Sequence, residues 1–547
     1  MLAGLTNFLG IAELPFYTKG EPREAVVVWE MANDGGLVLP LRNGDEVPSK
    51  PPMFHWLGWI ASRATGGASE LAARSPSAVL ATLLTLAVYA FAAGVSRIRC
   101  GWLSAIALIF SFEWLRAART ARVDMTFTAF LSSALLLYAV MKRSGFTMGR
   151  LVLFYSALAA ATLTKGPVAL VLAALVLGTD ALLSPSDDAD SASALSRAAR
   201  RLAEASRELR ALPAAAAVLM VSGAWYAAAY AVGGDAFVEM HALRENVFRV
   251  LDADRFSSGH SHGPLYLFGQ LFLGAFPWSL SLPAIAWWLW RDRPLDPMRR
   301  YLVVWFVVVF VFFLVPDSKR GVYLLPAYPA GALLFGLVLG PGPEGAPQRR
   351  LAAWGWLAGC LVLGILGLAG LMVASGVPFE GWILPHLRPH EAREVAASLD
   401  ALRDRAWWTT GASALVLAAS AGAAINAPGA HWLRASVPLV VALATALVGL
   451  VAPVERAIAN GRSLAGFLPR VEAAIGDGRL AFADGSFDYG AVFYAGRHIP
   501  RDEASRREAE YLLAFEDRPG SDAKEIVLVS RGTGARGRSR LLLVRAP

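Results

Sequence analysis

Charge is scarce in this chain, and so is cysteine. Of its 547 residues only 17% are Asp, Glu, Lys or Arg, and only two are Cys. Soluble globular proteins carry about 25% charged residues, so an ordinary water-facing surface is not expected. Cys100 and Cys360 lie far apart, at the end of one apolar run and inside another. That spacing excludes a disulfide framework and the usual cysteine metal motifs. No internal repeat or low-complexity tract stands out. Apolar mass is what abounds: 56% of residues are hydrophobic, with 17 Trp and 27 Phe. Such a chain is expected to face lipid over much of its length.

Crossing a bilayer takes about 20 predominantly apolar residues. Runs of that kind fall near 77–97, 102–116, 125–141, 151–164, 167–184, 211–232, 265–290, 301–315, 322–340, 351–376, 408–426 and 432–452. A marginal run, 2–17 (LAGLTNFLGIAELPFY), lacks the flanks of a cleavable signal peptide. Counted as a first span it brings the total to thirteen, and a start upstream of Met1 is kept as an alternative. With the N-terminus inside, the short connections on that side collect Arg97, Arg99, Lys142, Arg143, Arg150, Arg291, Arg293, Arg299, Arg300, Arg349 and Arg350. Short basic loops mark the cytoplasmic face. The net charge of +8 is therefore read as a topology signal, and no nucleic-acid partner is expected. The arginine-rich 186–210 reads as a solvated helix on the same face.

The other face receives 18–76, 113–124, 164–166, 233–264, 316–321, 377–407 and the tail 455–547. The tail mixes strand-like runs (LAFADG, AVFYAG, EIVLVS, RLLLVRAP) with a helical RDEASRREAEYLLAFE. The expected architecture is a mainly α polytopic membrane protein of about 13 transmembrane helices over 1–454. A small C-terminal soluble α/β or α+β domain is expected to follow over 455–547.

Five polar groups stand at boundaries on that face. FYTKGEPREAVVVWEM (16–31) sets Lys19, Glu21, Arg23 and Glu24 side by side. RNGDEVPSKPPMFHWLGWIASR (42–63) presents Lys50 before two prolines and an aromatic segment too short to span, expected in the interface plane. RAARTARVDM (116–125) brings Asp124 beside Arg119 and Arg122, LTKGP (163–167) breaks two apolar runs with Lys165, and PDSKRGVYLLPAYP (316–329) holds Lys319, Arg320 and Tyr323. Each has a plain reading. Lysines near span ends snorkel to headgroups, Asp124 can be a boundary ion pair, and Phe54, Trp56 and Trp59 are ordinary interface anchors. His260 and His262 are spaced as a weak metal pair, without an evident third ligand. Together, though, Glu21 and Asp124 supply carboxylates that can deprotonate an acceptor. Arg23, Lys50, Lys165, Lys319 and Arg320, with Tyr323 beside them, can hold a phosphate and its leaving charge. That combination describes group transfer from a lipid-linked phosphate donor.

The stretch GEPREAVVVWEMANDGGLVLPLRNGDEVPSKPPMFHWLGW resembles the first exterior loop of the bacterial aminoarabinose transferase-like glycosyltransferases. These are relatives of the protein O-mannosyltransferases within the multi-span GT-C class. RVDM, LTKGP, ENVFR (245–249), PW (277–278) and SKR..YLLPAYPA match later blocks in order, so the similarity covers roughly 15–335. The resemblance implies transfer of a monosaccharide from a polyprenyl phosphate to an envelope lipid, glycan or protein. It implies Glu21 and Asp124 as the acidic pair, with Arg23, Lys50, Lys319 and Arg320 near the donor phosphate. The chain departs from the pattern twice. Gly20 stands where the lipid A enzymes keep an Asp, and Ser49 where they keep a metal-associated Glu. A divalent metal is thus the one candidate cofactor, with no firm site. Protein hydroxyls as acceptor and a flippase of lipid-linked sugars are the competing readings. Transporters place their charges near the midplane and repeat their halves; here the charges gather at one face.

Overall fold

A computed structural model describes residues 1–184, 193–241, 262–339, 347–426, 432–518, 525–534 and 539–546. Among these, seven helices are long and apolar enough to cross a membrane: Glu70–Val95, Val123–Ser144, Ala211–His241, Pro297–Leu314, Ala353–Ala374, Ala406–Asn426 and Arg434–Arg462. Two bent pairs raise the number to nine if each is one span. They are Ile98–Ile109 with Phe112–Ala118, bent by 70°, and Leu265–Gly274 with Trp278–Arg291, bent by 109°. Met148–Lys165 adds a further 18-residue helix, and Val168–Leu183 and Gly321–Leu337 are shorter apolar helical segments. Each of the twelve longer apolar runs therefore falls on helix. The thirteenth does not hold as a span. Residues 2–17 contain only the seven-residue helix Leu2–Phe8, about 10 Å long, and the chain then turns at Gly10 with φ +69°.

Helix ends follow from local chemistry. Ser69 accepts the Ala72 N–H at 3.2 Å ahead of Glu70–Val95. Asp296 accepts from Met298 and Arg299 ahead of a helix that opens on Pro297, and caps of this kind contribute about 1 kcal/mol each. Between helices, lipid offers no hydrophobic drive, so close packing of small residues matters more. A Cβ on Gly101 would meet the Tyr89 carbonyl at 2.6 Å, and one on Gly336 the Cys100 carbonyl at 2.6 Å. The core beneath holds Trp114, Phe127, Phe154, Tyr301 and Trp305. Two of its polar tips are satisfied, since Tyr301 donates to the Leu135 carbonyl at 2.7 Å and Trp305 to that of Pro326 at 2.8 Å, whereas the buried Trp114 Nε1 has no hydrogen-bond partner among the described residues.

Two non-spanning helices, Gly20–Asn33 and Met53–Thr65, pack on each other and on the start of Glu70–Val95. The C-terminal unit is α+β. Its strands β1 (Leu480–Phe482), β2 (Tyr511–Phe515), β3 (Glu525–Val529) and β4 (Leu541–Arg545) lie in the order β1-β2-β4-β3, with only β1 and β2 parallel. Position 455, the boundary expected from the sequence, falls within the helix Ala452–Arg462. The unit shares one apolar core with the start of the chain, in which Phe16, Val26 and Phe54 meet Phe467, Phe482 and Phe493.

Candidate functional site

Asp124 stands in the first turn of Val123–Ser144, where the helix dipole favours an anion. It is 4% exposed. Lys165 Nζ donates to its Oδ1 at 2.7 Å, and Arg122 Nε lies 3.4 Å from its Oδ2. Lys50 is near enough for its charge to act on the same carboxylate. Lys165 closes Met148–Lys165, just before Gly166 turns the chain at φ +85°. Its ammonium also sits 5.0 Å from the Phe127 ring centre and 4.9 Å from that of Tyr323, an attraction that strengthens away from water. Residues 124, 165 and 323, scattered in sequence, thus meet, and the charge of Lys50 reaches the same buried acid.

Lys319 and Arg320 lead into the turn Gly321–Ala327, which carries Tyr323 and packs against Val123–Ser144. Lys319 is buried and donates to the Pro316 carbonyl at 2.6 Å, so its ammonium is spent partly on its own loop. His262 stacks on Tyr266 with ring centres 3.9 Å apart. His260 and the block 245–249 lie outside the described residues. Ser49 offers a hydroxyl where relatives of the family are expected to offer a carboxylate, so this corner does not fit a divalent metal.

The expected acidic pair is divided. Glu21, read from the sequence as a proton acceptor beside Asp124, is fully buried, with both oxygens engaged. Arg74 Nε donates to it at 2.7 Å, the Ala121 N–H at 3.2 Å and the Thr18 hydroxyl at 3.1 Å. Arg74 is itself buried and donates to the Ile11 carbonyl at 3.0 Å and to that of Leu14. The arrangement clamps the start of Gly20–Asn33 onto Glu70–Val95, with Glu21 paired to Arg74 rather than to the cations around Asp124.

One turn on, Glu24 is held by Arg23 at 2.6 Å and by His55 at 2.9 Å. Burial pushes the Glu24 carboxyl up, but the Arg23 charge and the His55 bond outweigh it and hold it well below the usual range. Burial in turn lowers His55, against the pull of Glu24. Arg74 and His55 were not singled out in sequence. The available signal was a lone ionisable residue at the edge of an apolar run. Where a Cβ on Gly20 would stand, Arg122 Nη1 lies 2.8 Å away, so Arg122 fills the space of the missing family acid and turns to Asp124.

A largely apolar groove of about 570 Å³ runs between Met148–Lys165 and Ala211–Val238. Met53 and Leu163 line one end, close in sequence to Lys50 and Lys165, and Met148 and Arg210 line the other.

Residues 49–191 match the family model described as dolichyl-phosphate-mannose-protein mannosyltransferase. An uncharacterised protein of Aquifex aeolicus is 29% identical over 315 residues, a match that spans 56% of each chain. This chain therefore aligns with little more than half the length of that relative. The undecaprenyl phosphate-alpha-4-amino-4-deoxy-L-arabinose arabinosyl transferase of Aeromonas salmonicida is 27% identical, over 70% of this chain and 69% of its own length. In fold, the chain resembles ArnT from Cupriavidus metallidurans, crystallised with undecaprenyl phosphate, at a TM-score of 0.74 and 18% identity, covering 99% of this chain and 96% of that one.

Proposed function

We propose that this chain, which is ArnT-like in sequence and fold, is an integral membrane glycosyltransferase. It moves a monosaccharide from a polyprenyl-phosphate donor to lipid A or another envelope glycolipid or glycan. The reaction takes place at the outer face of the bacterial inner membrane, with the C-terminal unit 455–547 on that side. The observation that supports this most is the apolar groove along Met148–Lys165, the helix whose last residue pairs with Asp124. The groove is apolar where a prenyl tail would lie, and Met53 and Leu163 at one end are close in sequence to Lys50 and Lys165, which would meet the phosphate.

In this reading the donor tail enters the groove and its phosphate meets Lys50, with Arg23, Lys165, Lys319, Arg320 and Tyr323 around it. Asp124 accepts the proton of the acceptor hydroxyl or amine as that group forms a bond to the anomeric carbon. The bond from that carbon to the phosphate oxygen breaks, and the electron pair leaves on the lipid phosphate, where the cations stabilise it. Attack from the face opposite the phosphate inverts the anomeric centre. Glu21 acts as a positioning residue through Arg74, because its oxygens are already occupied.

Purified protein in vesicles, given polyprenyl-phosphate sugars and lipid A, should form a glycosylated acceptor and release lipid phosphate. Mass spectrometry of the envelope of a deletion strain should show the missing sugar. An unchanged envelope together with no transfer in vitro would end the reading. A cysteine placed near residue 45 should label from outside, and one near 205 only after permeabilisation. The mannosyltransferase description of the matching family model favours one second reading. In it the donor is of the same type and the acceptors are protein hydroxyls, which would appear as glycopeptides in the same comparison.

A further inference from the structure

Away from the Asp124 group, the other end of Gly20–Asn33 meets the C-terminal unit through three ligand-type side chains. Glu30 and Asp34 lie one helical turn apart and so face the same way. His498, from the far end of the sequence, reaches over both. Its Nε2 is 3.0 Å and 3.1 Å from the two Glu30 oxygens and 3.5 Å from Asp34 Oδ2. Among the described residues this is the one group of three or more His, Cys, Asp or Glu whose ligand atoms gather closely enough to hold an ion.

We propose that Glu30, Asp34 and His498 bind a zinc-class divalent cation that ties the C-terminal unit to the first non-spanning helix. Donors bonded to one tetrahedral zinc at about 2.0–2.1 Å stand roughly 3.3 Å from one another, which is the scale of the His498 distances. Imidazole nitrogen and carboxylate oxygen are donor types that zinc accepts, and three protein ligands leave the fourth position to a water.

The surroundings orient these donors. The Gly44 N–H donates to Glu30 Oε1 at 3.1 Å, an outer contact of the kind that fixes metal-ligating carboxylates. Gly44 itself sits at φ +75°, and a Cβ there would come within 3.1 Å of His498 Nδ1. The residue after the histidine is fixed as well. The Asn43 side chain donates to the Ile499 carbonyl and accepts its N–H, both at 2.9 Å. Glu30 is buried, whereas Asp34 and His498 are about half-exposed, which gives an ion a way in.

The site does not depend on the transferase reading, and its test reads metal and structure rather than turnover. Full-length protein, stripped with chelator and titrated with zinc chloride, should retain one zinc per chain through gel filtration. Zinc should also slow limited proteolysis within 455–547. His498→Ala and Asp34→Asn should each weaken zinc retention at least ~10-fold. Asp34 is half-exposed, so its variant keeps the fold and serves as the control against simple unfolding. No retained zinc in the parent, or equal retention in parent and Asp34→Asn, would overturn the site. In that case His498 and Glu30 form only a proton-shared hydrogen bond.

Discussion

Two buried aspartates sit near opposite ends of one helix, and they differ in what lies around them. Asp124 begins Val123–Ser144, and Lys142 near its end pairs with Asp180 at 2.6 Å. Those ends are about 27 Å apart along the helix axis. Asp180 is fully buried and has a second cation, Arg300, at 3.5 Å. The Tyr138 hydroxyl donates to it at 3.4 Å, and Arg300 also donates to Ser184 at 2.8 Å. Every partner of that cluster thus ties helices together. Asp124 has a similar count of cations, yet its partner Lys165 ends a helix that lines a lipid-sized groove, and the charge of Lys50 reaches it from another loop. The lesson is that a buried acid between two bases says little by itself, and what opens onto it decides its use.

The largest expected effect is on Asp124. Asp124→Asn should lower transfer by about 10²–10⁴-fold, the usual share of general-base catalysis, with little change in thermal melting in detergent. Parent-like turnover would remove Asp124 from the mechanism. Asp180→Asn should do the reverse. It leaves Lys142 and Arg300 uncompensated, which costs up to about 3–5 kcal/mol for a buried pair, with less expected because Lys142 is partly exposed. Melting should fall while turnover per folded molecule stays near the parent's. If Asp180→Asn instead killed transfer at unchanged melting, the contrast between the two ends would collapse.

Two smaller effects sharpen the picture. Lys50→Ala should raise KM for the lipid donor roughly 10-fold or more, as loss of a charge-assisted contact does, and leave KM for the acceptor alone. Steady-state kinetics with each substrate varied would separate the two, and an acceptor-only effect would move Lys50 out of the phosphate site. Arg23→Ala should matter least for stability, below about 1 kcal/mol, because Arg23 is 35% exposed and Glu24 keeps His55. A denaturation loss as large as that of Asp180→Asn would show Arg23 to be the main counterion of Glu24.

Much of this was legible in the chain itself. Each long apolar run became helix, because a run of that length must satisfy its own backbone in lipid. The α+β tail was readable from strand-length runs. Asp124, Lys50, Lys165 and Tyr323 stood out because ionisable or aromatic groups at the edges of apolar runs need partners. Residues 2–17 misled through composition: apolar content does not show that Gly10 will break the helix after Phe8.

Composition and order alone thus determined that the chain lives in lipid, which residues are charged at its boundaries, and which family pattern it resembles. Which carboxylate meets which cation was settled by tertiary structure. Glu21 and Asp124 carry the same chemistry, and Arg74 and Lys165 are equally plain cations in the string of letters. Burial at the crossing of Gly20–Asn33 with Glu70–Val95 consumed Glu21 in a clamp. The start of Val123–Ser144 left Asp124 paired with Lys165, at the end of a helix that lines a groove. The physical reason is distance: Coulomb and hydrogen-bond terms act over a few ångströms, and contacts made 53 positions apart, as between Glu21 and Arg74, exist only once the helices have packed.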